Sequence, residues 1–153
     1  MQFFFLALLA VGSYLGAEPP SRSRPQNDLQ NIEGTWQVES THGLSSDALK
    51  EEMKTLRLTI RRDKMLATYG NNKTAEATFK LSPEKDPPEM DVTLAKGPED
   101  ARDAIGKTFH GIYMLQGNTL KIAYRNPEEK RPSSFRLEGE PGVYVVVLRR
   151  AQP

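Results

Sequence analysis

The chain has 153 residues, 21 Lys and Arg against 20 Asp and Glu, a net charge of +1 and no cysteine. That length fits one domain. The charge balance removes steering toward a polyanion as a default, and the absence of cysteine removes disulfides, thiol nucleophiles and thiolate metal sites.

Residues 3–17 read FFFLALLAVGSYLGA and carry no charge. A lipid-spanning helix needs about 20 apolar residues, and Gly12, Ser13 and Tyr14 weaken the end of this run. An apolar core that closes on small residues is the pattern of a secretory signal peptide. Residues 1–17 are therefore expected to be a signal cut after Ala17, with an uncleaved N-terminal membrane anchor as the alternative. The mature chain is expected to be secreted or periplasmic, without stable membrane insertion after cleavage. Residues 18–30 read EPPSRSRPQNDLQ, with three prolines and no apolar periodicity. They are expected to form a disordered linker.

From residue 31 to residue 150 the apolar residues recur with period two, the mark of strands with one dry and one wet face. Residues 35–40 put Trp36 and Val38 on one face. Residues 45–54 are the only helical patch, with Ser46 as its cap and Leu49 and Met53 four apart. Residues 55–62 alternate Leu56, Leu58 and Ile60 with polar neighbours. A turn at 62–64 leads into a strand over 65–69, and Gly70-Asn71-Asn72 turns back. Residues 73–81 present Ala75, Ala77, Phe79 and Leu81 to one side. The proline-rich 83–88 is a loop. Residues 89–94 contribute Met90, Val92 and Leu94, and the charged 96–103 forms another loop.

Residues 109–115 are apolar on both faces. Gln116-Gly117-Asn118 reads as a tight hairpin. Residues 119–125 contribute Leu120, Ile122 and Tyr124. Ser133 and Ser134, beside Pro132, are expected to begin a strand, and residues 138–142 (EGEPG) to turn it. Residues 143–148 are again apolar on both faces. Two-sided strands need cover from the chain itself or from a partner.

About eight or nine short antiparallel strands must hide their edges, and closure does this best. The expected fold class is all-β: an antiparallel, eight- to nine-stranded barrel with one short helix over residues 31–150, a sandwich being the runner-up.

The segment Gly34-Thr35-Trp36 resembles the Gly-x-Trp opening strand of lipocalin-like (calycin-type) barrels. Gly34 lets the chain bend at the barrel base, and the ring of Trp36 plugs it. More of the chain is similar to an uncharacterised small-domain family abundant in planctomycetes. The matching stretches are Pro88-Glu89-Met90-Asp91-Val92-Thr93, Gly111-Ile112-Tyr113-Met114-Leu115, Gly117-Asn118-Thr119-Leu120-Lys121-Ile122, Arg131-Pro132 with Phe135, and Leu148-Arg149-Arg150. The family often has Cys where this chain has Ala123. It often has an aromatic where the helical patch meets the next strand. The resemblance implies an exported lipocalin-like barrel and carries no catalytic residue across.

The chemistry available is narrow. The two histidines, His42 and His110, are far apart in sequence, so neither clusters with others at metal-ligand spacing. No metal site and no cofactor is expected. His110 should point outward from its strand. No Gly-x-Ser-x-Gly elbow, phosphate loop or dinucleotide pattern occurs. Asp91 is the one acid that could serve a hydrolase, against a simpler role of fixing the proline-rich loop. The basic stripe Arg57, Arg61, Arg62 and Lys64 is broken by acids, so no nucleic-acid binding is expected. What remains is the barrel interior. Ala75 and Ala77 could leave a cavity beside Trp36, Phe79, Tyr113 and Tyr124, the four expected lining residues for a small hydrophobic ligand. The leading expectation is a non-enzymatic exported barrel that binds such a ligand. The alternatives are a protein-interaction or structural module with no cavity, and a hydrolase using Asp91.

Overall fold

The computed structural model describes residues 27–137 and 141–152. The expected signal peptide and most of the expected linker lie outside the described residues. In chain order the elements are α1 (Asp28–Asn31), β1 (Gly34–His42), α2 (Asp47–Lys54), β2 (Arg57–Arg61), β3 (Lys64–Tyr69), β4 (Lys73–Ser82), β5 (Glu89–Lys96), a 3-10 helix (Glu99–Ala104), β6 (Thr108–Gln116), β7 (Thr119–Tyr124) and β8 (Tyr144–Arg150). Each strand pairs antiparallel with the next, and β8 returns to β1 to close a barrel of eight strands. Closure leaves no free sheet edge.

The register sorts the side chains. Met65 lies opposite Ala77, and Ala77 opposite Leu94. Phe79 lies opposite Val92, and Val92 opposite Phe109. These rungs face the barrel axis. Those between them, such as Lys80–Asp91–His110, face out. A bulge in β1 between Val38 and Ser40 shifts the register against β8.

The two ends differ. The base gathers α1, the 116–119 hairpin and the end of β8. Trp36 is fully buried there, and its Nε1 donates to the Ile32 carbonyl oxygen at 2.9 Å. The Arg150 guanidinium stacks 4.2 Å from the Trp36 ring centroid and donates to the carbonyl oxygens of Glu33 and Asn31 at 2.6 and 2.5 Å. Gly34 has φ +130°, and a Cβ there would stand 2.6 Å from the Arg150 guanidinium. With φ +130° a side chain at Gly34 is strained, and it would push the Arg150 guanidinium out of its stacked place. Tyr113 donates from its hydroxyl to Asp28 Oδ2 at 2.6 Å, both groups being buried.

Two expectations change. Residues 28–30 were expected to be part of a linker, but they form the helical turn that closes the base, with Asp28 buried. Residues 133–137, where a strand was expected to begin at Ser133 and Ser134, form bends and irregular backbone. The segment 125–137 instead straps the outside of the barrel. Pro132 is fully buried, and Phe135 packs on Ile112, Ala123, Val143 and Val145. Proline has no N–H to give a sheet ladder, which favours a strap over a strand. This strap is the cover that the two-sided strands β6 and β8 require. The turn expected at 138–142 falls partly outside the described residues.

Candidate functional site

The interior is graded along the barrel axis. Around the base Trp36, Ile60, Met65, Phe79, Met90, Tyr113 and Leu120 are all buried. Toward the other end, the mouth, the inward-facing residues Val38, Ala67, Ala75, Ala77, Val92, Leu94, Phe109 and Tyr124 are only partly buried. Ala67 and Ala75 are direct cross-strand partners. Ala67 and Ala77 are half-buried against the core cluster, where Met53 of α2 and Leu56 also pack.

Aromatic rings stand around the mouth. Tyr124 and Tyr144 are cross-strand partners on β7 and β8, with centroids 5.6 Å apart and planes tilted by 36°. Phe109 meets Tyr124 edge to face at 6.2 Å and 83°. Burial pushes the Tyr124 phenol up to about 12, and the nearby phenols of Tyr144 and Tyr69 add to the rise. Tyr69 ends β3, on the wall opposite β7 in the closed ring. The phenol hydroxyls at this end are those of Tyr69, Tyr124 and Tyr144. Among the described residues none of the three makes a hydrogen bond.

An ion bridge crosses the same end. Lys73, opposite Tyr69 in the β3–β4 register, places Nζ 3.1 Å from Glu52 Oε1 of α2 and 2.8 Å from Asp100 Oδ2 of the 3-10 helix. The sequence folds α2 there for local reasons. The Ser46 hydroxyl caps it by accepting from the Leu49 N–H, and Met53 packs against the core. Burial raises the Tyr69 phenol first. Asp100 and Glu52 raise it further, while Lys73 opposes them.

A second cluster lies on the outer wall. His110 Nδ1 and Asp91 Oδ1 are 2.8 Å apart, and the Arg131 guanidinium donates to the same oxygen at 2.8 Å. Arg131 also donates to the Gly111 carbonyl oxygen at 2.6 Å and lies 3.4 Å from Glu89 Oε2. Burial raises the Asp91 carboxyl, but the hydrogen bonds from His110 and Arg131 and the charge of Arg131 outweigh it and hold the carboxyl below its ordinary value. Above this cluster Thr93 and Thr108 bond to each other at 2.8 Å. A half-open groove of about 510 Å³ runs over Thr78, Lys80, Asp91, Thr93, Thr108 and His110. His110 points outward, as its strand position predicts. Asp91 pins the strap and His110 rather than the proline-rich loop.

Of the four expected lining residues, all face the barrel axis, but they lie at different depths. Trp36, Phe79 and Tyr113 belong to the packed base, and the polar atoms of Trp36 and Tyr113 are already bonded. Tyr124 alone stands at the mouth. Sequence reasoning missed Tyr69, Tyr144, Glu52, Lys73 and Asp100. Tyr69 shares the parity of Met65 and Ala67, so the alternation could have found it. The ion bridge joins three separate segments and leaves no mark in the sequence. Among the described residues no group of His, Asp and Glu could hold a metal ion, and no helix is long and apolar enough to cross a membrane.

The chain matches no protein-family model and no curated protein.

Proposed function

We propose that this is an exported, non-enzymatic barrel that holds a small hydrophobic molecule in the mouth half of its interior. The observation that carries the reading is the axial gradient: packed side chains below, partly exposed alanines and aromatic rings above. Binding pockets are mostly apolar with a few convergent polar groups. The mouth has both, in Ala67, Ala75, Ala77 and Phe109 and in the phenol hydroxyls. The interior of the base is filled by its own side chains.

Titration with a panel of fatty acids, retinoids and aromatic probes tests this. The wild-type chain is expected to bind at least one of them saturably. Ala77→Phe and Ala75→Leu, which fill the cup, are expected to abolish that binding, each with an unchanged circular-dichroism spectrum. Silence of the folded wild type across the panel, or binding untouched in a folded Ala75→Leu variant, contradicts the proposal.

One observation favours a second reading, a hydrolase built on Asp91: its contact with His110 is a hydrogen bond, so an acid–imidazole pair exists. Such a pair can activate a water molecule, so the reading needs no side-chain nucleophile. The hydroxyls of Thr93 and Thr108 are bonded to each other, and among the described residues His110 bonds only to Asp91. Turnover of ester or phosphoester substrates that His110→Gln abolishes supports this reading; equal turnover by the wild type and His110→Gln contradicts it. The interaction-module alternative rests on the outer faces of β6 and β8: the strap covers Ile112, Val143 and Val145, while Met114 and Val147 stay half-buried outside that packing.

A further inference from the structure

The outer wall carries polar groups that an interior site does not use. Register sets one row of outward side chains across five strands: Arg61, Lys64, Thr78, Thr93 and Thr108. The next row is Lys80, Asp91 and His110. Neighbours in a row stand about 5 Å apart at their Cβ atoms. The half-open groove of about 510 Å³ follows these rows from Asp63, in the β2–β3 turn, to His110. That volume suits one small molecule.

The two sides of the groove differ in chemistry. On the β4 side, among the described residues, Lys80 has no ion pair and the Thr78 hydroxyl has no hydrogen bond. Lys64 stands beside Thr78 across the β3–β4 pair. All three offer donors. On the β5–β6 side Thr93 and Thr108 bond to each other, which leaves one hydroxyl hydrogen and several lone pairs unspent. The Asp91 carboxylate only accepts, so His110 Nδ1 donates to it, and Nε2 of the neutral ring is left as an acceptor.

Charge on this wall favours an anion. Lys96 is matched by Glu76. Arg131 meets two carboxylates, Glu89 and Asp91, and Glu33 accepts from the Arg62 N–H. Against these and Asp63 stand Arg57, Arg61, Arg62, Lys64 and Lys80, none of them in an ion pair among the described residues. Cations therefore outnumber carboxylates, even with every acid counted. Asp63 lies in the groove itself and is flanked along the chain by Arg62 and Lys64.

We propose that the groove binds a small polyol phosphate, with its phosphate at Lys80, Thr78 and Lys64 and its hydroxyls at Thr93, Thr108 and His110. This is a second site, on the outside of the barrel, and it does not depend on the interior one. Inorganic phosphate gains the cationic side alone. A neutral sugar gains the hydroxyl side alone.

Isothermal titration calorimetry of the full chain with glucose 6-phosphate, glucose and inorganic phosphate separates these contributions. Glucose 6-phosphate is expected to bind about tenfold tighter than either of the others. Lys80→Gln removes a charge-assisted hydrogen bond and is expected to erase most of that preference over glucose. Asp63→Asn removes a carboxylate from the groove and is expected to tighten glucose 6-phosphate binding, which a merely loosened fold would not do. Backbone chemical-shift mapping is expected to place the ester at Thr78, Thr93, Thr108 and His110, with Ala67 and Ala77 unmoved. Binding of none of the three by the folded wild type overturns the proposal and leaves the interior reading intact. So does phosphate binding as tightly as the ester, an affinity indifferent to both substitutions, or shifts confined to the interior alanines.

Discussion

Tyr113 and Asp28 stand 85 residues apart and meet in a buried 2.6 Å hydrogen bond. A phenylalanine at 113 keeps the ring but leaves a carboxylate in the base without its donor. Tyr113→Phe is expected to cost about 1–3 kcal/mol in chemical denaturation, the usual penalty of orphaning a buried polar group. Titration gives a second check at this scale. The Tyr124 phenol is raised to about 12 in the fold, against about 10 in the unfolded chain. The folded state keeps a proton that the unfolded state releases in that window. Stability is therefore whole below about pH 10 and falls as pH climbs toward 12. Asp91 runs the other way, its folded value being depressed. Its contribution is present above the unfolded value of about 3.9 and is lost as pH falls through the lower folded one. Denaturation midpoints measured across pH check both signs, and Asp91→Asn is expected to flatten the acid limb. At this scale the sequence disclosed Trp36 well, because a lone indole after glycine on an opening strand has a clear structural use. It hid Asp28 among linker-like residues, because a carboxylate shows its partner only once the barrel has closed.

Elements were legible where alternation is strict. β2, β4, β5 and β7 each show apolar residues at every second position, and the register confirms the faces. The helix expected over 45–54 forms as α2 at Asp47–Lys54. The strap was not legible. Its residues have no period, since they follow the contours of an already formed wall. The paired faces of β6 and β8 did announce that some cover was needed. Arg131 fixes the strap by reaching Asp91 and the Gly111 carbonyl. Gly111 has its own reason to be glycine: a Cβ there would stand 2.7 Å from the Ala123 carbonyl oxygen. Arg131→Ala is expected to raise the rate of proteolytic cleavage within 125–137 and to lower stability by about 1–3 kcal/mol. The neighbouring exposed Lys130→Ala should stay within about 0.5 kcal/mol of wild type. Phe135→Ala, which uncovers Ile112 and Val145, is expected to act like Arg131→Ala and to add self-association, read by sedimentation.

At the scale of the whole molecule the barrel divides its labour along one axis. The base holds itself shut with a stacked arginine, an indole and a buried phenol–carboxylate bond. The mouth has small residues on one wall, aromatic rings on another, and an ion bridge between α2 and the 3-10 helix. Closure was foreseeable from strand count and the need to hide edges. The grading from fully buried to half-buried side chains along the axis was not, because Ala75 and Ala77 look like any dry face until depth along the axis is known. The most direct measurement is methyl and aromatic chemical-shift mapping of the folded chain during titration with the tightest binder of the fatty-acid, retinoid and aromatic panel. The account predicts saturable shifts at Ala67, Ala75, Ala77 and Tyr124, with Trp36 unmoved. Shifts confined to the outer groove around Thr93 and His110, or none at all, would contradict it.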